Sequence, residues 1–92
     1  MTPEVANDIY NILVEECGAP ESMRENFVYS QTNEFIKEWR FQGRLRFGGK
    51  FWRRRDDSQW DVNYYPEDQT AERDAMQARA NERLADLREQ QI

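Results

Sequence analysis

Histidine is absent from the 92 residues, and cysteine occurs once, at position 17. The first absence removes the commonest general base and the commonest metal ligand. The second excludes an internal disulfide, which a small secreted domain with a thin core usually needs, so the expected location is the cytoplasm. No apolar run reaches membrane-spanning length, and the opening MTPEVANDIY lacks the basic-then-apolar layout of a signal peptide. No nucleophile elbow, paired-cysteine motif or dinucleotide fingerprint occurs. Gly48-Gly49-Lys50 lacks the spacing of a phosphate loop. Asp56, Asp57, Asp61, Glu67 and Asp68 lack the spacing of a calcium loop. These gaps point away from an enzyme, a cofactor and a metal.

Apolar residues are also scarce, at 38%, whereas charged residues reach 34%. One small domain is expected, with its core built from a few large side chains. Twelve aromatics supply them, nine of which fall between Phe35 and Tyr65.

Charge is distributed in blocks. Residues 37–55 hold eight cations against Glu38, a net of +7. Residues 1–36 and 56–92 each carry a net of −6, so the total of −5 conceals a basic band between two acidic flanks.

Thr2-Pro3-Glu4 has the order of a helix start, a hydroxyl cap, a proline and a first-turn acid. Val5, Ile9, Ile12 and Leu13 form one stripe, and Gly18 with Pro20 stops it, predicting a helix over 3–17. A shorter helix fits 20–29, with Met23 and Phe27 on one side. From 35 to 65 the pattern alternates with period two, which predicts three strands. Asp56-Asp57-Ser58 marks the second turn. For the first, Gln42-Gly43 is preferred over Gly48-Gly49, which then becomes a bulge in a long middle strand. Asp68 or Thr70 caps a final helix over about 69–90, with Met76, Ala80, Leu84 and Leu87 as its stripe. The expected fold class is α+β: a three-stranded antiparallel meander with the N-terminal and C-terminal helices packed on one face.

Alternation sorts the basic band by face. Trp39, Phe41, Leu45, Phe47, Phe51, Trp60, Val62 and Tyr64 are expected inside. Arg40, Arg44, Arg46, Lys50, Trp52, Arg54 and Tyr65 are expected on the opposite, solvent-facing side. Of these, Arg40, Arg44, Arg46, Lys50, Trp52 and Arg54 form the expected partner-binding set. Cations with aromatic rings suit a single-stranded nucleic acid or a nucleotide. An exposed Trp beside arginines equally suits a protein hot spot, and the acidic pI near 4.7 favours the protein partner. Pairing within the molecule is the third use of such cations. The oligomeric state is a monomer or a homodimer.

The runs Trp39-Arg40-Phe41-Gln42-Gly43, Phe47-Gly48-Gly49-Lys50-Phe51-Trp52 and Trp60-Asp61-Val62-Asn63-Tyr64-Tyr65-Pro66-Glu67-Asp68 resemble the centre of short acidic proteins from bacteriophages and mobile elements. Some of these are anti-CRISPR or other anti-defence factors. The resemblance covers about a third of the chain and implies a stoichiometric inhibitor that docks on host nucleic-acid-handling machinery. No individual functional residue carries over from it.

Overall fold

The computed structural model describes residues 1–44, 48–64 and 70–91. Helix α1 spans Pro3–Cys17, with the Thr2 hydroxyl accepting from the Val5 N–H at 3.2 Å. Gly18 closes it at φ 71°, in the left-handed region that lets its N–H and that of Ala19 reach back to the Val14 and Leu13 carbonyls. A 3₁₀ turn (Glu21–Met23) leads into helix α2 (Arg24–Tyr29), and a widened turn over Ser30–Glu34 extends it. Helix α3 spans Ala71–Glu89, where Thr70 is the cap and its hydroxyl accepts from the Arg73 N–H.

Strands β1 (Glu38–Gln42), β2 (Gly48–Arg53) and β3 (Trp60–Tyr64) form an antiparallel meander in the order β1-β2-β3. The fold is therefore α+β, with the helices on one face of the sheet. Tyr10 of α1 and Phe27 of α2 meet Trp39 and Phe51 of the sheet, with ring centroids 5.0–5.9 Å apart in tilted or edge-on geometry. Trp39, Phe41, Phe51, Trp60, Val62 and Tyr64 are buried as alternation predicts. Leu45, Phe47 and Tyr65 lie outside the described residues.

Three expectations are corrected. Gln42 pairs with Gly48, so the first connection covers 43–47 rather than a two-residue turn at Gln42-Gly43. Gly48 and Gly49 are regular ladder residues instead of a bulge, and Gly49 is needed because the Phe41 ring lies against it. A Cβ there would stand 2.4 Å from the tip of that ring. Phe35 does not begin a strand. It ends the turn after α2 at φ 58°, a conformation unusual for a bulky residue.

The outer edge of β3 is closed by side chains of α3. Asn81 accepts from the Val62 N–H at 2.6 Å and donates to the Val62 carbonyl at 3.0 Å, and Gln77 accepts from the Tyr64 N–H at 3.2 Å. Asn81→Ala removes two bonds from part-buried backbone groups and is expected to cost about 2 kcal/mol, read as a lower urea midpoint at unchanged m-value.

Candidate interaction surfaces

The open face of the sheet follows from the register. Glu38, Trp52 and Asp61 form one cross-strand row, and Arg40, Lys50 and Asn63 form the next. Directly opposite residues bring their side chains within contact distance. The half-buried Trp52 is thus flanked by two carboxylates, and Lys50 reaches diagonally to Glu38 at 3.3 Å. Asp61 accepts from the Gln59 amide at 2.6 Å. Among the described strand residues two cations and two acids share this face, so these two rows are charge-balanced where a cationic platform was expected.

The remaining residues of the expected set are dispersed. Arg44 leaves the sheet and docks on the C-terminus of α1. Its N–H donates to the Cys17 carbonyl at 2.7 Å and its guanidinium to the Glu15 carbonyl at 3.1 Å, where a cation complements the helix dipole. A Cβ on Gly18 would lie 2.8–2.9 Å from the Arg44 backbone, which shows how closely the loop is seated. Arg54 is exposed just beyond β2 and its N–H is held by the Gln59 carbonyl. Arg46 lies outside the described residues.

Arg53 was not singled out by the sequence, although it shares the parity of Phe51. It is fully buried on the core face. Its guanidinium donates to Asp57 at 2.8 Å and to the Gln31 carbonyl at 3.0 Å, and lies 4.4 Å from the centre of the Phe35 ring. Three cations of the basic band, Arg44, Lys50 and Arg53, are therefore engaged within the molecule.

The opposite side of the molecule is acidic. Glu4, Asp8 and Glu15 of α1 are exposed, as are Glu72, Asp74, Glu82, Asp86 and Glu89 of α3. Arg83 ties the two helices together, contacting Glu15 at 2.8 Å and Glu16 at 3.0 Å, and Arg79 adds a bond to Glu16. A polar groove of about 460 Å³ runs between the helices, with Asp8 and Asp86 among its lining residues. Glu4, Asp8, Glu72, Glu82, Asp86 and Glu89 have no ion-pair partner among the described residues.

A second groove of about 480 Å³, lined by Thr2, Val5, Trp60 and Arg88 among others, is mostly apolar. Cys17 is buried beside the Tyr64 hydroxyl. Loss of hydration pushes its thiol up to about 11, and the same cause raises Tyr64. A thiol held neutral in this way is a packing group rather than a nucleophile. Among the described residues no cluster of metal-ligating side chains occurs, and no helix is long and apolar enough to cross a membrane.

Comparison with protein-family models, curated proteins and solved structures finds no match to this chain.

Proposed function

We propose that the chain is a non-enzymatic, cytoplasmic interaction module whose acidic helical layer docks on a basic nucleic-acid-binding groove of a protein complex. The outcome is stoichiometric inhibition of host nucleic-acid-handling or defence machinery of the CRISPR type, as phage-encoded proteins of similar sequence style suggest. The observation that carries this reading is the division of charge. Six carboxylates of α1 and α3 face solvent without an ion-pair partner among the described residues, whereas Arg44, Lys50 and Arg53 are bonded internally. An anionic face offers a basic groove what a phosphate backbone offers it, including release of counterions.

The test is recovery of a partner from bacterial lysate on immobilised protein. The reading expects a protein complex that is displaced by salt and by competing nucleic acid, and that the Glu82→Lys/Asp86→Lys variant fails to retain. Equal recovery by that variant, or indifference to nucleic acid, removes it.

A second reading has one observation in its favour: Arg40 and Lys50 stand directly opposite each other on the open face, two register positions from Trp52. Such a site suits a single-stranded nucleic acid or a nucleotide. Titration with oligonucleotides at low and high salt separates the two. Salt-sensitive binding lost in the Trp52→Ala/Lys50→Ala variant supports this second reading, and absence of binding at low salt removes it.

A further inference from the structure

The mostly apolar groove of about 480 Å³ lies where three elements meet: the N-terminal end of α1 with Thr2 and Val5, the start of β3 with Trp60, and the last turn of α3 with Arg88. Its size falls within the range of small-molecule sites. Two donors in its wall are unmatched. Trp60 is only 4% exposed, and its indole N–H is buried without a hydrogen-bond acceptor among the described residues. A donor stripped of water in this way is uncommon in a folded chain and gains from any acceptor brought to it. Arg88 is half-buried and has no ion-pair partner among the described residues. Asp57, an acid in the same wall, is already neutralised by Arg53 at 2.8 Å. The N-terminal end of α1 adds the positive end of a helix dipole.

We propose that this groove binds a small amphipathic carboxylate. The carboxylate accepts from the Arg88 guanidinium and the Trp60 N–H, and the hydrocarbon body lies along Val5 and the indole. Each half of the ligand answers one half of the site. A bare anion meets the donors and leaves the apolar wall in water, whereas a neutral analogue covers the wall and leaves the arginine unpaired. A cation in the last turn of α3 also complements that helix's dipole, but an arginine turned to open solvent serves that purpose equally. Here it borders an apolar groove beside a second unmatched donor. Nothing in this inference depends on what the acidic helices bind.

Nitrogen–proton NMR of the indole N–H groups tests it, since Trp60 is one of three tryptophans and its signal is assigned in the intact chain. The probes are hexanoate, hexanol and acetate. Hexanoate is expected to move the Trp60 signal saturably with a Kd of about 1 mM, with hexanol at least about fivefold weaker and acetate weaker still. Arg88→Gln is expected to weaken hexanoate by about tenfold and to leave hexanol unchanged, which shows that the groove itself survives. The proposal is overturned by a Trp60 signal that does not move up to about 20 mM hexanoate, or by hexanol or acetate binding as tightly as hexanoate. An Arg88→Gln variant that holds hexanoate as well as the wild type overturns it too, as does one that loses both ligands equally.

Discussion

Arg53→Ala is expected to lower the free energy of unfolding by about 4 kcal/mol, a large share of what a domain of this size has. The arginine is fully buried and its charge is met by Asp57, itself in the left-handed region at φ 59°. Truncation leaves the Gln31 carbonyl without its donor and Asp57 without its cation. It also removes the contact that packs the Phe35 ring, which holds an unfavourable backbone angle. Urea unfolding checks the size of the loss. Arg53→Met fills the same volume without a charge and is expected to lose about half as much, since packing around the stem survives. A loss below about 1 kcal/mol for the alanine variant would show that the turn and the helix end hold together without this arginine.

Gly49→Val is expected to cost about 3 kcal/mol by overpacking. The added Cβ meets three carbons of the Phe41 ring at 2.4–3.0 Å, and that ring stacks on Trp39 at 6.0 Å between centroids. The ring has to leave its place, and the disturbance passes to the aromatic cluster. A double-mutant cycle with Phe41→Leu isolates the cause. The double variant is expected to lose less than the sum of the two single losses, a coupling that relief of the ring clash produces. Equal losses with and without the Phe41 ring would place the cost elsewhere.

These two positions also mark where the sequence stopped being informative. The helices were legible because their signals are local: Thr2, Pro3 and Gly18 bound α1, and Thr70 begins α3. The strands were legible from alternation. Gly49, by contrast, reads locally as a bulge or turn, and only the ring across the ladder explains it. Phe35 keeps the alternating spacing of Trp39 and Phe41, yet it ends a helical segment, because its ring is drawn to a guanidinium eighteen residues away in sequence. Arg53 hides inside three consecutive arginines, where charge suggests exposure and only parity suggests burial.

The candidate surfaces divide in the same way. The acidic character of the two flanks is a property of composition and needs no coordinates. The character of the open sheet face depends on cross-strand register, which sets Glu38 and Asp61 on either side of Trp52. A list of the cations along the band does not contain that information. Arg44 departs further still, since a residue in the loop beyond β1 becomes part of the end of α1.

The amides that close the β3 edge also act as a ruler. Gln77 and Asn81 are one helical turn apart, about 6 Å, and Val62 and Tyr64 are two strand residues apart, about 7 Å. The two repeats nearly coincide, and Asn81 meets the earlier strand residue while Gln77 meets the later one, so helix and strand run in opposite directions. Inserting or deleting a single residue in either element throws both amides off their marks together. The register of β3 and the seat of α3 beside it are therefore fixed by the same two amides. The helix beside the sheet is the part that certifies its alignment.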